Sequence, residues 1–121
     1  RRTSNRDTAD LVLQRIEPDE YVTADSAEEK SCSDYRSYGI SCRGAEKGPG
    51  SVNYSMKWLQ SLACIVIDPE RCPDTVKEFT EYEYERDTKT GEVLQGYPDI
   101  NNHHIDAVRY ATNRIWKRRG Q

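Results

Sequence analysis

The chain has 121 residues, 32% of them charged and 35% hydrophobic, with 18 Lys and Arg against 21 Asp and Glu for a net charge of -3. That length accommodates one domain, 1–121, with a single modest core. The charge balance excludes a general polyanion-binding coat, and apolar residues gathered in periodic segments exclude a disordered chain. No apolar run approaches the roughly 20 residues of a membrane span, and the polar first residues do not read as a secretory signal.

Ser4-Asn5-Arg6-Asp7 reads as a helix start, with Ala9, Leu11, Val12, Leu13 and Ile16 supplying apolar faces and Pro18 ending the helix. Tyr21 to Ala24 is a short strand with Asp25 at its carboxyl end. Ser26 is placed to cap a helix that runs to about Tyr38 and closes at Gly39. Ile40 to Glu46 is a second, less apolar strand. Gly48-Pro49-Gly50 turns the chain into a helix from Ser51 to Leu62, with Val52, Met56, Leu59 and Leu62 at helical spacing.

Ala63-Cys64-Ile65-Val66-Ile67 is the most continuous apolar run, which predicts a central strand beside Tyr21 to Ala24, buried on both faces, with Cys64 as a small buried hydrophobe. Asp68-Pro69 is a turn, and Pro73 opens a helix to about Tyr82. Tyr84 to Gln95 reads as a hairpin of polar strands around Asp87-Thr88-Lys89-Thr90-Gly91, and Asn101 to about Arg119 as a closing helix. Strands alternating with helices predict an α/β domain with a mainly parallel sheet flanked by helices.

Cys32, Cys42, Cys64 and Cys72 form no Cys-x-x-Cys pair and there are only two His, so neither a structural zinc site nor a cysteine nucleophile is expected. A reducing cytoplasm is the simplest compartment for such a chain. The charge is uneven: Arg1, Arg2 and Arg6 lie at one end, and Arg114, Lys117, Arg118 and Arg119 at the other. Basic ends of this kind serve as phosphate contacts or as solvated tails.

The densest candidate chemistry lies in Asn102-His103-His104-Ile105-Asp106-Ala107-Val108-Arg109-Tyr110. Helical spacing puts His103 and Asp106 on one face. Ile105, Val108, Thr112 and Ile115 form the apolar stripe, and Asn102, Asp106 and Tyr110 form a second stripe beside it. Read alone, the segment is an ordinary surface helix with a solvated Asp before it is a site, and Asn102 reads as its cap.

The pattern Asn-His-x-Ile-Asp-Ala-x-Arg-Tyr, following Tyr97-Pro98-Asp99, resembles the last motif of the nuclease domain of phage terminase large subunits, the DNA-packaging proteins of tailed phages. Val22-Thr23-Ala24-Asp25-Ser26-Ala27-Glu28-Glu29-Lys30-Ser31 resembles the family's middle motif, and Lys47 to Val52 and Ile67-Asp68-Pro69 also fit. The likeness runs from about Asn5 to Trp116. It implies the ribonuclease H-like fold without the N-terminal antiparallel meander whose first strand carries the family's first acidic ligand. The chain therefore looks like part of a larger terminase.

By this resemblance Asp25 matches the second acidic ligand and Asp106 the third, both binding Mg2+ or Mn2+ and acting in catalysis with His103. Carboxylate clusters suit hard divalent ions, and two such ions stabilise the attacking and leaving oxygens of a phosphodiester. A strand-end Asp fits because sheet edges open into ligand crevices, although Asp25 is also a good helix cap. A neutral His103 suits metal binding or proton transfer. Lys47, Lys117 and Arg118 are candidate contacts to DNA, Glu28 is a looser one to a water or to Lys30, and Asp68 reads as a turn residue.

His104 and the Glu78, Glu81, Glu83, Glu85 run read as solvated surface. The implied function is two-metal-ion cleavage of concatemeric viral DNA in the host cytoplasm, with double-stranded DNA, the terminase small subunit and the portal as partners and no membrane. A catalytically silent DNA- or portal-docking module of the packaging motor is the alternative.

Overall fold

A computed structural model describes residues 4–25, 29–45, 47–94 and 96–119, with the side chains of Arg118 and Arg119 left aside. The assignments made above to Arg1, Arg2, Ser26, Glu28, Glu46, Gln95 and the Arg118 and Arg119 side chains lie outside the described residues. The elements run α1 (Asn5–Leu13), β1 (Tyr21–Ala24), α2 (Glu29–Ser37), β2 (Ser41–Gly44), α3 (Ser51–Ser61), α4 (Pro73–Glu81), α5 (His103–Ala111) and α6 (Asn113–Arg119). They gather into two compact units, 1–49 with 110–121 and 50–109.

The first unit is built on a β-α-β crossover. Strands β1 and β2 pair in parallel, Tyr21 opposite Ser41 through Ala24 opposite Gly44, and parallel neighbours need such a crossover to return the chain to the same edge. The intervening α2 ends as the glycine predicts: Gly39 has φ 92°, a conformation that is costly for residues with a Cβ. Ser4 caps α1 by accepting from the Asp7 amide at 3.1 Å. Asn5 Nδ2 then ties α1 to α2 by donating to Asp34 Oδ2 at 3.0 Å. Helix α1 stops at Leu13, short of Pro18. The intervening stretch forms a turn in which the Glu17 amide donates to Glu20 Oε1 at 2.7 Å. Ala9, Cys32, Ile40 and Cys42 form the core, packed round by Val12, Ile16, Val22, Ala24, Tyr35 and Tyr38. Burial, helped by the neighbouring Cys32, pushes the Cys42 thiol up to about 11.

The second unit has a helical core of Met56, Leu59 and Ile105, with Trp58, Phe79, Tyr82, Tyr97 and Val108 against it. The predicted hairpin is present as a short antiparallel contact: Arg86 bridges Val93, the Asp87 amide donates to Glu92 O at 2.8 Å, and Gly91 takes φ 75°. Asp68 is a turn residue as expected, its Oδ1 accepting from the Glu70 and Arg71 amides at 2.9 and 3.2 Å.

Two expectations fail here. Ala63 to Ile67 is not a strand: Ile65 is 43% exposed, Val66 is 90% exposed and Cys64 is exposed too. A continuous apolar run has no periodicity to say which face is covered, and a strand exists only where a neighbour completes its ladder. Among the described residues β1 pairs only with β2. An Ile65→Asp substitution, which a buried strand would not tolerate, is therefore expected to leave folding intact.

The closing helix is also not continuous. Asn101 sits at φ 52°, so α5 starts at His103, and Thr112 separates α5 from α6. The Thr112 carbonyl accepts from the Ile115 amide at 2.8 Å and the Trp116 amide at 3.2 Å, restarting the helix. Thr and Asn offer side-chain alternatives to the backbone ladder, which favours such a break. The buried positions are Asn102, Ile105, Arg109, Asn113 and Trp116, which recur at helical spacing, while Ile115 lies off that stripe and is 53% exposed.

Candidate functional site

Strand β1 delivers Asp25 to its carboxyl end, where the carboxylate is exposed and ion-paired with Lys47. Parallel pairing carries the chain on from β2, so that Lys47 returns beside the end of β1. The Lys47 ammonium also lies 5.5 Å from the centre of the Tyr110 ring, a favourable cation–π distance. The hydrogen bond to Asp25 raises the Lys47 pKa, so the side chain stays charged. In this structure Lys47 is thus first of all a partner of Asp25.

Helix α5 presents Asp106 differently. Its side chain is 26% exposed and its Oδ1 accepts from Arg109 Nη2 at 2.9 Å and Nε at 3.3 Å. Arg109 is 5% exposed, and its Nη1 donates to Ser55 Oγ at 3.0 Å. A buried guanidinium is tolerable only when its donors are taken up. The half-buried Asp106 and the fully buried Ser55 meet that requirement.

The start of α5 is held by a residue that reads from the sequence as solvated surface. Glu78 on α4 has a side chain only 13% exposed. Its Oε1 accepts from the amides of His104 at 2.8 Å and Ile105 at 3.1 Å, the second and third positions of the helix. Those are the donors an N-cap side chain normally satisfies. Asn102 stands at the cap position, with its carbonyl accepting from the Asp106 amide at 2.8 Å, but its own side chain donates to Asp99 Oδ1 at 3.1 Å. The signal for Glu78 was its place on the inward face of α4 with Thr75, Val76 and Phe79, all partly buried.

His104 is exposed yet shares a 3.1 Å hydrogen bond through Nδ1 with Thr75 Oγ1. His103 is exposed on the rim of an open groove of about 710 Å³ that is also lined by Glu78, Glu81, Tyr82, Glu85 and Ile100. Lys117 is exposed on α6. Among the described residues no three His, Cys, Asp or Glu side chains gather as a ready metal cluster. The donor chemistry still fits a hard divalent cation. Asp25 and Asp106 each offer carboxylate oxygens with part of the side chain in water, 55% and 26% exposed.

The family model for the terminase RNase H-like domain matches residues 3–114. The chain belongs to this terminase family. It is 39% identical to the terminase large subunit of Bacillus phage SPP1, over 98% of this chain and 28% of that protein. It is 33% identical to the PBSX phage terminase large subunit of Bacillus subtilis (strain 168), over 86% of this chain and 24% of that one.

Among solved structures, it superposes with a TM-score of 0.81 and 37% identity on the nuclease domain of the SPP1 large terminase g2p, crystallised with bound Mn. That match covers 93% of this chain and 64% of the SPP1 domain. The architecture is accordingly ribonuclease H-like, with β1, α2 and β2 as its parallel part. The chain spans about a quarter of the length of the two full-length terminase relatives.

Proposed function

We propose that this chain is the C-terminal part of one nuclease domain in a phage DNA-packaging terminase large subunit. In its parent protein the domain cuts concatemeric viral DNA with two divalent ions, Mg2+ or Mn2+, in the host cytoplasm. What carries this reading is the likeness to a Mn-bound terminase nuclease domain over 93% of the chain. Double-stranded DNA is the substrate, and the small subunit and portal are the partners in the parent protein.

In this reading Asp25 and Asp106 would hold the ions through carboxylate oxygens, and His103 would either ligate an ion or pass a proton to the leaving oxygen. When bound, the ions neutralise charge on the scissile phosphate and lower the pKa of the attacking water. Lys47, Lys117 and Arg118 steady the DNA backbone as point charges. Lys47 must then exchange Asp25 for a phosphate, a small rearrangement for an exposed pair.

The test is plasmid nicking with Mn2+ by the chain alone, by a version extended upstream to supply the first acidic ligand, and by that version with Asp106→Asn. The chain alone should cut weakly or not at all, the extended version should cut, and the mutant should not. An inactive extended version, or an Asp106→Asn protein as active as its parent, would favour a silent docking module. The occupation of both carboxylates by Lys47 and Arg109 is the observation on that side.

A further inference from the structure

We infer that Arg109 is a positioning residue for the Asp106 carboxylate and that Ser55 on α3 holds it in register. The inference rests on the metal-dependent reading above. Three nitrogens of one guanidinium are engaged: Nε and Nη2 converge on Asp106 Oδ1 at 3.3 and 2.9 Å, and Nη1 reaches Ser55 Oγ at 3.0 Å. A guanidinium is planar and rigid, so three contacts fix its plane.

Ser55 is itself fixed. It is fully buried, and its hydroxyl lies 2.8 Å from Ser51 O and 3.1 Å from Val52 O. With its proton directed to those carbonyls, the hydroxyl oxygen is left to accept from Arg109. The chain of contacts runs from the backbone of α3 through Ser55 and Arg109 to one oxygen of Asp106. Rotation of the carboxylate is thereby restrained, and Oδ2 becomes the oxygen presented to an incoming cation. Groups behind a metal ligand commonly tune affinity in this way.

Charge and positioning predict opposite signs. An arginine beside a ligand carboxylate repels an incoming cation, so if charge alone mattered, removing it would tighten binding. If it positions the carboxylate, removing it weakens binding. The experiment titrates Mn2+ into the 121-residue chain and reads the free ion by electron paramagnetic resonance, with the Asp106→Asn chain defining background uptake. Circular dichroism checks that each variant is folded at the working temperature.

Ser55→Ala changes no charge and should weaken the Asp106-dependent binding about tenfold. Arg109→Lys keeps the charge but not the three-point hold, and should not restore affinity; Arg109→Gln should weaken it as well. Wild-type affinity in Ser55→Ala, or tighter binding in Arg109→Gln, overturns the inference. If an Arg109 variant does not fold, Ser55→Ala decides alone. If the wild-type chain shows no Asp106-dependent uptake, the same titration of the upstream-extended version and its variants decides. No Asp106-dependent uptake there overturns the metal reading and this inference with it, an outcome distinct from unequal variants.

Discussion

In the first unit a carboxylate ends a strand and faces a lysine in open water; in the second, one lies on a helix against an arginine that is 5% exposed. Both arrangements pair a carboxylate with a cation, yet they differ in what holds them. Asp25 and Lys47 have side chains 55% and 44% exposed, so water screens their attraction and both rotate at little cost. Asp106, Arg109 and Ser55 have surrendered much of their hydration and depend on one another. The contrast separates a pair that can open for a ligand from one that is part of the frame.

The sharpest way to break this comparison is Arg109→Ala. It should cost about 3 kcal/mol in urea unfolding, because a half-buried carboxylate and a buried hydroxyl lose their partner together. A loss below about 1 kcal/mol would place the second pair in the same class as the first. Next is the pH response of the first unit's own core. The Cys42 thiol is raised from 9.0 to about 11 by burial, so the native state keeps its proton where the unfolded chain would lose it. That contribution is complete below pH 9 and disappears as pH rises through about 11. Stability curves measured across this window should fall less steeply for Cys42→Ala than for the parent.

Glu78→Ala should cost about 1 kcal/mol, the usual worth of an N-cap. It should also speed amide hydrogen exchange at His104 and Ile105, with Glu78→Gln keeping an acceptor and part of the protection. Lys47→Ala comes last. Its effect on urea unfolding should stay within about 0.5 kcal/mol, as for other exposed pairs. A larger change would mean that the Tyr110 contact matters more to the fold than its 5.5 Å geometry indicates.

Elements with a clear period or a defined stop were legible in the sequence. The spacing of Met56 and Leu59 marked α3, and Gly39 marked the end of α2 because the backbone there turns left-handed. Asp25 at a strand end followed from the apolar run before it. Ala63 to Ile67 misled because hydrophobicity alone does not say whether a ladder partner is present. Ile115 misled because the buried stripe runs through the polar Asn102, Arg109 and Asn113 as well as Ile105 and Trp116, so hydrophobicity alone picked the neighbouring face.

Around the proposed site, the motif singled out Asp106 as a candidate, whereas the partners that hold its carboxylate were not legible. Arg109 lies one turn along the same helix, but its burial depends on Ser55, 54 positions away in the chain. Glu78 has the same character. A carboxylate in an acidic stretch resembles solvated surface until the amides it accepts from are placed in space.

The Glu78 contact also bears on how this polypeptide can be shortened. Helix α5 is nine residues long, below the length at which an isolated helix is stable in water. Its first turn, which carries His103 and Asp106, draws two of its hydrogen bonds from α4, 26 and 27 positions earlier. A peptide spanning only Asn102 to Tyr110 would carry every letter of the motif and yet lack the carboxylate that starts its helix. Any minimal version meant to present this helix therefore has to begin before Pro73, so that α4 accompanies it.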